Sequence, residues 1–577
     1  MQKLVKYIKP FTSSILLITA FMLGMAIAEL MLPLLLADMV NNGMMLGDTE
    51  YVLRRGTVML FVALISSGCS IVGVFLAART ALGIGRNIRN EIFERVSSYS
   101  LDEFDQIGTA SLITRTTNDV TQVQNTLVMI FRFMIFSPIM CIGGIIMARF
   151  VDTGLSLILL AVLPVMLVFI LIMAKWIMPM FSKMQGYVDR INLVLRENLM
   201  GVRVIRAFNR QKYEEERFDF ANRDLTEIAI RINKIMACMH PVMILLMNVT
   251  ALLIIWFGGI RISQEHIQLG DMIAFLQYAM QIMFSIVMVT MIFATIPRAQ
   301  VSAVRINEVL SLQKTILDNG TTETVNTNGT VEFRDVTYRY QDAEQPVLKG
   351  ISFTAQPGEL TAIIGSTGAG KSTLVNLIAR FYDAESGQVL VDGVDVKEQS
   401  TLHLRQKLSV VPQTANLFSG TIADNIRYGK EDASQEEVEH AAKVAQADSF
   451  IVDMENGYDS EVSQGGTNLS GGQKQRISIA RALIRKTEIY IFDDSFSALD
   501  FKTDAALRAS LKTEIGQQTQ IIVAQRVSTI MEADKIIVLN EGEIAGIGTH
   551  KELLATCDVY GEIARSQLSE EELANER

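Results

Sequence analysis

Six apolar stretches, near residues 11–37, 57–78, 126–148, 154–178, 236–260 and 272–296, are each long enough to cross about 30 Å of hydrocarbon as a helix, which takes roughly 20 residues. Lipid offers the backbone no water to bond, so continuous apolar stretches of this length satisfy their own amides as helices. This sets the first half of the chain as a six-span α-helical membrane domain before any motif is considered. The first stretch does not read as a cleaved leader: it is too long, it follows Lys3, Lys6 and Lys9, and no small-residue cleavage site ends it. Those lysines place the N-terminus in the cytoplasm. The segment 175–234 carries 12 Lys and Arg while the loop 261–270 carries only Arg261, which gives the same orientation. An even number of spans returns the C-terminus to the cytoplasm, as expected of a multi-pass protein of the cytoplasmic membrane. The two cytoplasmic loops are long, about 47 and 57 residues, with helical periodicity and many charges, so the helices should continue well below the bilayer.

Charge separates the two halves. Residues 1–310 hold 27 Lys and Arg against 22 Asp and Glu, and the rest of the chain holds 25 against 40, leaving +5 and −15. The acidic half lacks the basic footprint of a nucleic-acid binder, which excludes that class of partner. Of 29 Met, 27 precede residue 310. These flexible side chains suit membrane lipids and an adaptable cavity, and equally well ordinary packing between spans. Cys69, Cys141, Cys238 and Cys557 are widely spaced without a CxxC or Cys/His cluster, which predicts neither a disulfide nor a metal–thiolate site. Within the spans Glu29 and Arg132 stand out, because ionisable groups in hydrocarbon are costly and usually face a bundle interior or a cavity. Each either touches substrate, or forms an internal pair or snorkels to the interface.

Past residue 310 the pattern changes: 311–330 reads as a linker, with a turn-rich stretch from Asp318 to Thr330, and 331–577 as a soluble domain with short β-branched runs. Gly365, Ser366, Thr367, Gly368, Ala369, Gly370, Lys371 and Ser372 fit GxxxxGK[ST] between the apolar run Thr361–Ile364 and the helical run Ser372–Phe381, the setting of a P-loop. Glycines let backbone amides curl around phosphate oxygens, Lys371 adds a point charge, the helix N-terminus adds its dipole, and Ser372 offers a hydroxyl to Mg2+. A second carboxylate site follows, where the apolar strand Ile489–Phe492 ends in Asp493, suited to hold Mg2+, with Asp494 next to it. Upstream, Leu469, Ser470, Gly471, Gly472 and Gln473 lead into the helical run Lys474–Ile484, again suited to an anion at a helix N-terminus. Ser497, Ala498, Leu499 and Asp500 come just after the carboxylates.

The order P-loop, LSGGQ, Asp-bearing strand and SALD resembles the nucleotide-binding domain of ATP-binding cassette (ABC) proteins over residues 331–565. The resemblance implies ATP at Gly365–Ser372 and Thr373, with Tyr340 of the YRY stretch stacking on adenine. It implies Mg2+ at Ser372, Asp493 and Gln413, the last being the Q-loop glutamine of VVPQ. It also implies that Leu469–Gln473 completes the ATP site of a second cassette and that Asp500 belongs to the D-loop. In the membrane half, LDEFDQIGTASLITRTTNDV (101–120) and ENLMGVRVIRAFNRQKYEEERF (197–218) are similar to cytoplasmic loops of the type I exporter branch. In that branch short coupling helices, here near 100–108 and 209–217, dock on cassettes, one of them on the partner chain. The implied fold is a type I ABC exporter membrane domain fused to an α/β P-loop NTPase domain, half of a dimeric transporter.

Two positions depart from the family. Asp494 stands where a glutamate usually polarises the attacking water, and Gln525, in IIVAQRVST, where a histidine is usual. Aspartate retracts the carboxylate by one carbon, roughly 1.5 Å, from a water that a general base must touch. Glutamine donates a hydrogen bond but cannot become a cation. With the P-loop, Asp493 and LSGGQ intact, this is the pattern of a degenerate site that holds ATP and turns it over poorly. A heterodimer is expected, its partner carrying Glu and His at these positions; a homodimer with two slow sites is the rival. Gln464, where many exporters have Glu, is a third departure. The expected function is ATP-driven export of hydrophobic or amphipathic compounds, multidrug efflux first among them, with lipid or peptide export and an ATP-gated channel or sensor as alternatives.

Overall fold

A computed structural model describes residues 6–318, 320, 328–341 and 343–568. Lys3 and the linker residues 319 and 321–327 lie outside the described residues. The chain divides into two compact units, 1–97 with 109–312, and 98–108 with 313–577.

The first unit holds six long apolar helices, Lys9–Met44, Thr49–Ser97, Thr109–Val151, Thr153–Ala207, Gln211–Ser263 and Leu269–Ser311. The fourth has 55 residues, which at 1.5 Å each is about 80 Å, far beyond the hydrocarbon thickness. The long loops that the sequence places in the cytoplasm are therefore mostly continuations of the span helices. Small residues permit close approaches between helices: a β-carbon on Gly143 would meet Leu30 at 2.5 Å, and one on Gly144 would meet Ile282 at 2.7 Å. Pro33 lacks the N–H that would bond the Glu29 carbonyl four residues back. Gln281 of the sixth span takes over, its Nε2 lying 3.4 Å from that oxygen. Of the two short helices expected in the loops, one is present as Leu101–Ile107. At 209–217 no separate short helix forms. Asn209 takes a left-handed φ of 52°, Arg210 N bonds back to Ile205 O at 2.9 Å, and the long helix Gln211–Ser263 begins at once.

The second unit contains two main sheets. One is antiparallel, in the order β2 (Leu348–Ala355), β1 (Val331–Tyr338), β4 (Ser386–Val391), β5 (Val394–Asp395). The other runs in the order β12 (Glu543–Gly548), β11 (Lys535–Asn540), β3 (Leu360–Gly365), β10 (Thr519–Val523), β9 (Ile489–Asp493), β6 (Leu408–Val411). It is parallel except for β12. The short strands β7 (Gly420–Thr421) and β8 (Glu461–Val462) pair with each other. Alternation along β9 explains why the parallel sheet is apolar throughout: Ile489 and Ile491 enter one core, Tyr490 and Phe492 the other.

Candidate functional site

Four adjacent parallel strands, β3, β10, β9 and β6, bring the chemistry to one edge. Ligands of such sheets bind outside the carboxyl ends of the strands. The P-loop follows β3, Gln525 lies two residues past β10, Asp493 ends β9, and Gln413 lies two residues past β6. Residues up to 160 positions apart thus converge because their strands are neighbours.

The loop geometry requires its glycines. Gly368 and Gly370 have φ of 87° and 95°, and a β-carbon on Gly370 would lie 2.7 Å from Leu348 Cδ2. A β-carbon on Gly365 would lie 2.2 Å from the Leu539 carbonyl oxygen. Ser366, Thr367 and Ala369 complete the turn, which opens the helix Lys371–Ile378. Lys371 Nζ donates to the Gly365 and Ser366 carbonyls at 2.8 and 2.9 Å, and burial pushes its pKa down. Ser372 Oγ donates to Asp493 Oδ1 at 3.0 Å. Thr373 and Tyr340 hydroxyls lie 2.9 Å apart, and the Tyr340 ring meets Tyr338 and Tyr382 edge-on, with centroids at 5.1 and 5.5 Å.

Asp494 sits in a left-handed conformation, φ 47°, its amide bonded to Val523 O at 3.0 Å. Its Oδ2 accepts from Gln525 Nε2 at 2.8 Å and from Gln413 Nε2 at 3.3 Å. Burial pushes the carboxyls of Asp493 and Asp494 up from their ordinary range. Asp494 and Gln525, the two residues expected to depart from the family, are direct partners. Ser497, named in the sequence only as the start of SALD, and Arg526, which sequence reasoning missed, brace this side: Ser497 Oγ donates to Asp494 O at 2.9 Å, and Arg526 donates to Ser497 O at 3.1 Å. Arg526's position directly after Gln525 was the available signal.

Ser470 caps the helix Gly471–Leu483, exchanging bonds with Gln473 (Ser470 N to Gln473 Oε1 2.8 Å, Gln473 N to Ser470 Oγ 3.3 Å). Leu469 is buried below it, and the Gly471 site has open space around a β-carbon. Asp500 caps the helix Phe501–Ile515 through Thr503. Gln464 lies in the single turn Gln464–Gly466 ahead of the signature. Among the described residues, no hydrogen bond joins Leu469–Gln473 to the P-loop of the same chain. Glu29 and Arg132 belong to neither element: Glu29 Oε1 accepts from Ser66 Oγ at 3.0 Å between the first two spans, and Arg132 is exposed, stacked 4.8 Å over Phe133.

The site and the six spans define a nucleotide-driven membrane transporter, and comparison with known proteins agrees. The family pattern for the ABC transporter transmembrane region matches residues 15–286, and that for the ABC transporter matches 348–497. An ABC transporter ATP-binding protein of Mycobacterium tuberculosis is 44% identical over 567 residues, 97% of either chain. The protein belongs to the ABC transporters, as an exporter half-transporter whose membrane and ATPase domains share one chain. It is also 32% identical over 518 residues to an ATP-dependent lipid A-core flippase of Syntrophus aciditrophicus, covering 90% of this chain and 86% of the relative. The structure of a bacterial Atm1-family ABC exporter with ATP bound matches with a TM-score of 0.78 at 25% identity, over 98% of this chain and 99% of that one. Half-transporters of this family work as dimers, and the activity is ATP-driven export.

Proposed function

We propose that the protein is one half of a heterodimeric exporter of hydrophobic or amphipathic compounds in the cytoplasmic membrane, both termini cytoplasmic, and that its own P-loop site holds ATP while hydrolysing it slowly. The observation that carries this reading is the pairing of Asp494 with Gln525 beside an intact phosphate cradle. The hydroxyl of Ser372 and the carboxylate of Asp493, 3.0 Å apart, are the hard oxygen donors that Mg2+ takes, with Gln413 adjacent. Bound Mg2+ would neutralise phosphate charge. Lys371, now on two loop carbonyls, would exchange them for phosphate oxygens, and Tyr340 would stack on adenine. On the water side, the short Asp494 carboxylate is held by two amides rather than by a group that can turn cationic, which suits retention over turnover. Leu469–Gln473 would complete the partner's site, with Asp500 beside it, so hydrolysis there would reset the cycle after ATP binding has switched the membrane domain.

The substrate class rests on the Met-rich, mostly apolar spans. Export of a lipid is the second reading, favoured by the similarity to relatives named as lipid A-core flippases. Glu29 or Arg132 would contact the cargo in either case.

The test is ATP hydrolysis in lipid by this chain alone and mixed with a homologous half-transporter encoded beside it. Substantial turnover only in the mixture is expected. Equal turnover by the chain alone would overturn the degenerate-site reading.

A further inference from the structure

The segment Ser98–Gly108 joins the second span to the third in sequence, yet it packs with the soluble unit. Its helix Leu101–Ile107 opens with a capping box between Ser100 and Glu103. Such a box needs a single carboxylate oxygen, and on a surface helix the other oxygen faces water. Here Glu103 is only 2% exposed. Its Oε2 accepts from Ser100 N and Ser100 Oγ, both at 2.6 Å. Its Oε1 accepts from the amide of Thr315 and, at 2.7 Å, from Thr315 Oγ1. The two hydroxyls lie 2.9 Å apart and close the ring. Burial works against the charge, yet the donors of Ser100 and Thr315 outweigh it and hold the carboxyl below its usual range.

Thr315 is four residues past the end of the sixth helix, so one carboxylate ties two points of chain 212 residues apart. The stretch it grips is fixed to the cassette just beyond: Leu317 O accepts from Arg380 at 3.3 Å, and Asp318 accepts from Thr401 N and Oγ1 at 2.9 and 2.6 Å. The Tyr382 phenol, whose pKa burial pushes up, also feels the charges of Asp105 and Asp102 on the helix so held. Tyr382 in turn packs edge-on against Tyr340. Helix capping alone explains half of Glu103's bonds; the half made to Thr315 does nothing for the helix and fastens the loop.

We propose that Glu103 is a positioning residue that clamps the first cytoplasmic loop to the cassette of its own chain, so that nucleotide beside Tyr340 is felt by that loop through Tyr382 and Asp105. The last clause rests on the reading of Tyr340 as the adenine-stacking residue. Glu103→Gln keeps one acceptor oxygen and turns an amide NH2 toward existing donors; Thr315→Val removes one donor and leaves the helix cap intact.

The experiment is amide hydrogen exchange over residues 101–107 in the full-length transporter in lipid, with and without Mg·ATP, alongside titration with mant-ATP. In the unsubstituted protein ATP should slow exchange in this segment. In Glu103→Gln and in Thr315→Val mant-ATP affinity should stay within about twofold, as expected of residues outside the nucleotide site, while the ATP-dependent slowing disappears. A general loss of rigidity would raise exchange with and without ATP alike and leave their ratio unchanged. Persistence of that ratio in Thr315→Val, which folds with its cap in place, would overturn the clamp. Tyr340→Ala should weaken mant-ATP about tenfold. Unchanged affinity there would remove the Tyr340 reading and leave the clamp standing on its own exchange data.

Discussion

The two sides of the nucleotide site are built to different standards. On the phosphate side each group is determined several times over: Gly370 by its φ and its clearance from Leu348, Lys371 by two carbonyls, Ser372 by Asp493. On the water side the Asp494 carboxylate meets two glutamine amides, those of Gln525 and Gln413. Both sides have buried carboxylates, so burial does not distinguish them. The difference lies in chemistry: one side presents a charge and hydroxyl and amide donors, and the other an aspartate carboxylate held by two amides, which on the proposed reading turns ATP over slowly. On the proposed reading binding and turnover are separable properties of one site, and substitutions on each side should change one without the other.

The largest effect is expected on the phosphate side. Lys371→Ala removes a charged donor from the cradle and should weaken mant-ATP binding about a hundredfold, as loss of charge-assisted bonds does. On the water side, Asp494→Glu with Gln525→His should raise steady-state ATP hydrolysis by the chain alone about tenfold, a modest share of what a well-placed general base supplies. In that variant mant-ATP affinity should barely move. A variant on the water side that changed affinity as much as turnover would erase the distinction between the two sides.

Much of this site was legible in the sequence because it lies in short runs whose spacing carries the chemistry. GxxxxGK[ST] after an apolar run, LSGGQ before a helical run and paired aspartates after Ile489–Phe492 each name local geometry, and the structure puts the first and last at the ends of β3 and β9, on either side of β10, while LSGGQ opens the helix Gly471–Leu483. The six helices were legible for a simpler reason, since lipid leaves a long apolar stretch few alternatives. What the sequence withheld depends on contacts between distant residues. Glu103 reads as an ordinary capping carboxylate until Thr315, 212 positions away, is seen against it. Tyr338 and Tyr382 look like core aromatics of separate elements until both rings are placed on Tyr340. The short helix expected near 209–217 failed for a local cause: the turn is completed within Phe208–Arg210 around the left-handed Asn209, and the next long helix starts at Gln211.

The smallest effect tests the water side in the absence of nucleotide. Burial raises the Asp494 carboxyl above its unfolded value, so between the two pKa values the native state holds a proton that the unfolded chain has released. Stability accordingly falls as pH rises through that interval, and at neutral pH the buried charge is a net cost. Asp494→Asn removes the charge while its carbonyl still accepts from Gln525 and Gln413, so the nucleotide-free protein should gain about 2 °C in apparent Tm at pH 7.5. At a pH of about 2.5, below the ordinary value of an unfolded aspartate, the wild-type carboxyl is largely protonated in both states and the gain should vanish. A gain that is the same at both pH values would mean that Asn improves packing rather than removing a charge. Asp494 would then be an ordinary buried side chain, and its pairing with Gln525 would lose its electrostatic basis.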